Sequence, residues 1–204
     1  ATSHTKGEKV IGMLRALIGR DAFNRALSTY LEQQRLSNAD TSTFFATMQE
    51  ATDIDLGPFV ASWLRRPGFP TIWVTWQAVD DGFEATFAQS TPTGAAGRWV
   101  VPLDVTFGYD DGTTTAPRTL VMDEPVERLH FDGEPPIFAA VNTNGVALAD
   151  IIVDQGVLAT IAATRHAPTP YTRAVALYDL WAMLSAELDK DNRLICLTFN
   201  QCFY

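Results

Sequence analysis

The sequence predicts an α+β fold in three consecutive parts: a short helical bundle, then a small β-sandwich, then the start of a C-terminal helical domain. Three observations predict it. Apolar residues recur at helical spacing as far as Phe69. The breaker run Pro67-Gly68-Phe69-Pro70 then gives way to alternating apolar and polar residues. After Val146 the apolar content rises and helical spacing returns. The expected domain boundaries are 1–69, 70–154 and 155–204.

In the first part Val10, Ile11, Leu14, Leu17 and Ile18 fall on one helical face, and Gly19 suits a left-handed stop after it. Asp21 is the expected cap of a second helix, in which Phe23, Leu27, Tyr30 and Leu31 repeat the spacing. Asp40 or Thr41 starts a third with Phe44, Phe45 and Met48. Asp55 starts a fourth, with Leu56, Phe59, Val60, Trp63 and Leu64 facing one way. Proline lacks the amide that a helix needs, so the run from Pro67 ends helix formation.

From Thr71, Ile72, Val74 and Trp76 alternate with Trp73 and Thr75, a strand with bulk on both faces. Asp80-Asp81-Gly82 is a hairpin signal, and Phe83, Ala85 and Phe87 alternate on the return. Val100 to Phe107 is a further strand, followed by a second turn signal at Asp110-Asp111-Gly112. Thr119 to Met122, Val126 to Phe131 and Ile137 to Val141 add short strands at sandwich-like intervals. Ala147 to Ala163 reads as a strand then a helix with Asp154 as cap. Pro168-Thr169-Pro170 opens another helix, whose Ala174, Leu177, Tyr178, Trp181 and Leu184 share a face. Leu194, Ile195, Leu197, Phe199 and Phe203 make an apolar tail that calls for a covering surface.

Composition narrows the function. At 204 residues with 47% apolar and 19% charged residues, the chain is an ordinary globular protein with a core. A net charge of -9 repels a polyanion, so nucleic acid is not an expected partner. No run reaches the roughly 18 apolar residues of a membrane helix, so no membrane partner is expected either. Cys196 and Cys202 lie too near the end to staple the fold, and a cytoplasmic location is the expectation.

None of the three histidines, His4, His130 and His166, stands in an H-E-x-x-H arrangement, which would place two imidazoles one helical turn apart on a single zinc. There is no G-x-S-x-G elbow and no G-x-x-x-x-G-K phosphate cradle. The acidic pairs Asp80-Asp81, Asp110-Asp111 and Asp123-Glu124 fall at turns, where Asp bonds its own backbone. His130 in a strand and His166 near a helix end are read as structural, Cys196 and Cys202 as unpaired thiols, and the tryptophans as mostly core.

Two segments carry a family resemblance. One is His4-Thr5-Lys6-Gly7-Glu8-Lys9-Val10-Ile11-Gly12-Met13-Leu14, continued by Leu17-Ile18-Gly19-Arg20-Asp21-Ala22-Phe23 and the aromatic–Leu pair Tyr30-Leu31. The other is Asp55-Leu56 through Phe59, then Trp63-Leu64-Arg65-Arg66-Pro67-Gly68-Phe69-Pro70. Together they resemble the aminopeptidase N family of zinc-dependent gluzincin aminopeptidases. There an x-Lys-Gly follows a catalytic Tyr, and a Trp-x-x-x-Pro-Gly-x-Pro run leaves the thermolysin-like catalytic domain for a β-sandwich and a helical domain. Val141-Asn142-Thr143-Asn144-Gly145, running on to Asp154, looks like the last strand of that sandwich.

The resemblance implies a fragment of an enzyme that removes N-terminal residues from peptides with a zinc-bound water. Zinc is the cofactor of the parent family, with its ligands upstream of Ala1 and none bound by this chain. His4 stands at the position of the family's catalytic Tyr, whose phenol hydrogen-bonds the oxyanion. Either the active site is altered there, or His4 has no role in the isolated chain, and the second is the expectation. The partners implied are the peptide substrate, and the missing N-terminal part or another copy of the chain. A second reading is a non-catalytic scaffold or protein-interaction module derived from the same fold. A third is an unrelated α+β protein whose helix-to-sandwich order matches by chance, a reading that strands dispersed among the helices would support.

Overall fold

The computed structural model describes residues 3–91 and 98–189. Cys196, Cys202 and the apolar residues after Asp189 lie outside the described residues. The first part contains α1 (Ser3–Ile18), α2 (Arg20–Gln33), α3 (Thr41–Glu50) and α4 (Gly57–Leu64). Gly19 joins α1 to α2 at a φ of 84°, a conformation that costs a side-chain-bearing residue strain. The cap of α2 is therefore Gly19, and Asp21 sits inside the first turn, where its charge meets the positive helix pole. Asp40 caps α3, its carboxylate accepting the Thr43 amide at 2.7 Å. Asp55 is displaced by one residue from its expected role. Leu56 holds the cap position of α4, and Asp55 instead accepts the Gly57 amide at 2.8 Å.

Among the described residues seven strands follow with no helix between them: β1 (Thr71–Val79), β2 (Gly82–Ser90), β3 (Val101–Gly108), β4 (Arg118–Met122), β5 (Val126–Asp132), β6 (Phe138–Val141) and β7 (Asp150–Val153). One sheet has the order β5-β2-β1-β7, the other β4-β3-β6. All pairs are antiparallel except β1 with β7. The Asp80-Asp81 turn sets the β1–β2 register by pairing Val79 with Gly82. The facing sheets interdigitate through aromatic rings. Phe107 of β3 meets Phe83 at 5.0 Å and Phe131 at 4.9 Å, both edge-on.

The chain closes with α5 (Gly156–His166) and α6 (Pro170–Asp189). Asp154 does not cap α5. Gln155 occupies that position, and its side-chain oxygen accepts the Ala139 amide of β6 at 3.0 Å.

A single core runs from the helices into the sandwich, from Val10, Met13, Phe59 and Trp63 to Ile72, Phe87, Trp99 and Val105. The four-residue strand β6 shows how the layers stack. Ala139 and Val141 belong to this core, whereas Phe138 and Ala140 belong to a second cluster with Ala163 of α5, Ala167 just after it and Ala176 of α6. Alternate side chains of a strand face opposite ways, so the three-stranded sheet is a middle layer between the other sheet and the α5–α6 pair. Gly108 permits this close approach, because a Cβ there would lie 2.0 Å from the Phe138 ring.

The apolar face expected on α6 is not the buried one. Thr172 and Ala176 are covered, while Ala174, Leu177, Tyr178, Trp181 and Leu184 are exposed. The tryptophans also divide. Trp63 and Trp99 are fully buried, whereas Trp73 and Trp181 are about half exposed.

Candidate functional site at the head of α1

Two local designs meet here. The first is the run after α4, which bolts the helices to the sandwich. Trp63 donates its indole N–H to the Val100 carbonyl at 2.7 Å, and the Val100 amide donates back to the Ser62 hydroxyl at 3.2 Å. Arg66 donates to the Arg98 carbonyl at 2.7 Å and lays its guanidinium 4.6 Å above the Trp99 ring. An indole N–H buried in a core needs an acceptor, which fixes where the 98–100 segment runs.

The second is the start of α1. Lys6 reaches out of its first turns and donates to the carbonyls of Arg66 and Gly68, at 3.3 Å each. One turn on, Lys9 donates to the Gly145 carbonyl at 2.5 Å. Met13 and Leu14 of α1 are fully buried, and the Leu148 amide lies 3.4 Å from the Met13 sulfur. The head of α1 is thus held on one side by the chain leaving α4 and on the other by the loop before β7.

Between α1, α3 and α4 lies an open groove of about 610 Å³. Ile11, Tyr30, Phe44, Phe45 and Leu64 line it, with Lys6 at its rim. Tyr30 and Phe45 both pack edge-on to Phe44, at 5.2 and 5.3 Å. Asp40 closes one end, its carboxyl held below its usual value by hydrogen bonds from Thr43 and Ser42. Chemically this is an aromatic trough with a cation and a carboxylate at its edges, suited to an extended segment bearing an apolar side chain. Ile11 and Leu64, read from spacing as core residues, are partly exposed because they line this trough.

His4 lies in the first turn of α1, two residues before Lys6. The other two histidines are elsewhere. His130 on β5 sits at the surface, 3.6 Å from Asp81 and 3.5 Å from Asp132. His166 ends α5, its ring lying over Gly112. Of the acidic turn pairs, Asp111 accepts both the amide and hydroxyl of Thr113, at 2.9 and 2.6 Å, which lowers its pKa. Among the described residues, no three His, Cys, Asp or Glu side chains converge on a point that could hold a metal ion. No described helix is long and apolar enough to cross a membrane.

Spacing alone did not reveal Asn142. It is buried at a φ of 54°, and its side-chain amide both donates to and accepts from Ala147, at 3.1 and 2.9 Å. The signal available was the Asn-Thr-Asn-Gly run, since Asn tolerates positive φ better than most residues.

The peptidase family M1 domain matches residues 1–63, the part that ends at Trp63. Aminopeptidase M1-B of Oryza sativa subsp. japonica is 26% identical over 130 residues, 64% of this chain and 14% of its own length. Aminopeptidase N of Lactobacillus helveticus is 29% identical over 110 residues, 52% of this chain and 13% of its own. The chain is similar to members of the aminopeptidase N family. Aminopeptidase A of Legionella pneumophila, solved in complex with aspartic acid, shares the fold with a TM-score of 0.80 at 16% identity. That superposition takes in 93% of this chain and 22% of the other. The chain therefore spans about one seventh of the length of the curated relatives named here.

Proposed function

We propose that this chain is part of a zinc aminopeptidase that removes N-terminal residues from peptides. In this reading it supplies one wall of the catalytic domain, the sandwich behind it and the first helices beyond. The observation that best supports it is the pair of hydrogen bonds from Lys6 to Arg66 and Gly68, which joins the two segments that carry the family resemblance.

The described residues do not fit zinc, since they offer no converging set of ligands. What these residues do is hold position. Lys6 and Lys9 fix the head of α1, and with it the backbone at His4, against the chain that leaves α4. At the family's Tyr position a hydrogen-bond donor to the oxyanion is worth about 3 kcal/mol when well placed. A neutral histidine can donate one hydrogen bond. The groove between α1, α3 and α4 offers apolar and aromatic surface to a peptide chain.

The test is to isolate the native gene product that carries this chain, then measure its zinc content and its hydrolysis of alanyl- and leucyl-p-nitroanilide. Bound zinc with chelator-sensitive release of the N-terminal residue is the expected result. A product with neither zinc nor hydrolysis overturns the reading. The second reading, a non-catalytic interaction module, is favoured by the apolar and aromatic lining of the groove.

A further inference from the structure

The loop of residues 142–148, between β6 and β7, closes on itself. The Asn142 side chain bridges to Ala147 through two hydrogen bonds, and the Gly145 amide donates to the Asn142 carbonyl at 2.8 Å. Asn142, Thr143, Ala147 and Leu148 are all buried. Breaking one bond of a buried network leaves its partner unpaired, so such bonds hold or open together.

Three elements grip this loop. From β3, the Asp104 carboxylate accepts the Thr143 amide at 3.0 Å and the Thr143 hydroxyl as well. From α1, Lys9 donates to the Gly145 carbonyl, and the Met13 sulfur meets the Leu148 amide. From the head of α6, the Thr169 hydroxyl donates to the Thr143 carbonyl at 2.9 Å. The Tyr171 ring lies against Gly145, 3.3 Å from where a Cβ would stand. Thr169 comes just before α6 and its hydroxyl also accepts the Thr172 amide at 3.1 Å, as a helix cap does. One hydroxyl therefore both starts α6 and fixes the loop. The carbonyls held by α6 and by α1, those of Thr143 and Gly145, are two residues apart in the chain.

We propose that the 142–148 loop couples the head of α6 to the head of α1, so that whatever orders or loosens α6 tightens or releases the grip of Lys9. The coupling acts through shared order, which needs no large movement. What it regulates rests on the reading of function given above. There the head of α1 carries His4 at the family's Tyr position, and the C-terminal helices would control how firmly that position is held.

Amide hydrogen exchange on the 204-residue chain, resolved by NMR, tests the coupling. T169V removes the hydroxyl and is expected to speed exchange at Gly7 to Ile11 by about 5- to 10-fold, the scale of a modest coupling between sites. Ile72 to Trp76 of β1 should stay within about twofold of wild type, because only local opening changes. T169S keeps the hydroxyl and restores slow exchange. Coupling is reciprocal, so K9M speeds the Thr172 and Arg173 amides by a similar factor. N142G cuts the bridge to Ala147, and in that background T169V adds less than about twofold at Gly7 to Ile11. Wild-type rates at Gly7 to Ile11 in T169V overturn the proposal. So does β1 speeding up as much as α1, which is general destabilisation, or T169S behaving like T169V. An α6 head indifferent to K9M, or a full T169V effect beside N142G, overturns it too. Neither zinc nor hydrolysis enters the readout, so a gene product lacking both defeats the reading of function and leaves the coupling standing.

Discussion

The two faces of the β4-β3-β6 sheet are covered by different kinds of side chain. On the inner side, and on through α1 to α4, the contacts are large: Trp63, Trp99, Phe59, Phe87, Phe107 and Met13 are all fully buried. On the outer side α5 and α6 offer Ala163, Ala167 and Ala176 to Phe138 and Ala140. Each large side chain removed from water contributes about 1.5–3 kcal/mol, and an alanine a fraction of that. The helices before the sandwich are therefore built into its core, while the helices after it rest on a thin alanine contact. Elements held by few apolar contacts open at lower free energy than the core. The lesson is that one strand, β6, can belong to two clusters of very different strength.

The largest expected effect lies on the strong side. Trp63→Ala removes a fully buried indole and leaves the Val100 carbonyl without its donor. We expect about 4 kcal/mol of destabilisation, read as a shifted urea midpoint by circular dichroism and tryptophan fluorescence alike. A loss below about 1 kcal/mol would mean that helices and sandwich are independent after all.

An intermediate effect tests the boundary between the clusters. Gly108→Ala places a methyl group 2.0 Å from the Phe138 ring, which must move toward α5. The cost should be about 2 kcal/mol. Hydrogen exchange should show α5 and α6 losing protection before β1 and β2. Equal loss in all of them would erase the distinction drawn here.

The smallest effect sharpens the weak side. Asp179 of α6 and Asp150 of β7 line the same cavity of about 200 Å³ between α6 and the sandwich. Burial, then the Asp150 charge, pushes the Asp179 pKa up to about 6 from an ordinary 3.8. A carboxyl raised in the folded state binds its proton more tightly there than when unfolded. Its stabilising contribution is complete below about pH 4 and is lost as the pH rises through about 6. Asp179→Asn should match the wild-type melting temperature near pH 4 and exceed it at pH 7. Melting curves for the pair across pH 4–7 check this, and parallel curves would show that the helix does not sense the charge.

Much of this was legible in one dimension. The four early helices, the change of texture at Pro70, the two-residue turn at Asp80-Asp81 and the β-rich middle all appear where spacing put them. Caps were read less well. Asp21, Asp55 and Asp154 were each expected to start a helix, yet Gly19, Leu56 and Gln155 hold those positions. The cap is chosen by where the preceding chain arrives, and for Gln155 by the bond its side chain makes to β6. The candidate site was half legible. The residues around Lys6 and Trp63 were marked by their pattern, but neither the Lys6 bonds to Arg66 and Gly68 nor the seat of Trp63 on Val100 has any local signature.

Residue order alone thus determined which segments are helix or strand, and in what succession, because periodicity and chain breakers act over a few neighbouring residues. Tertiary structure decided which apolar faces are covered. Leu31, Leu64 and Trp181 repeat at the spacing of core residues and yet are exposed, whereas Thr172 and Ala176 of α6 are buried. Burial depends on what lies opposite, and a helix carries no record in its own spacing of what will meet it.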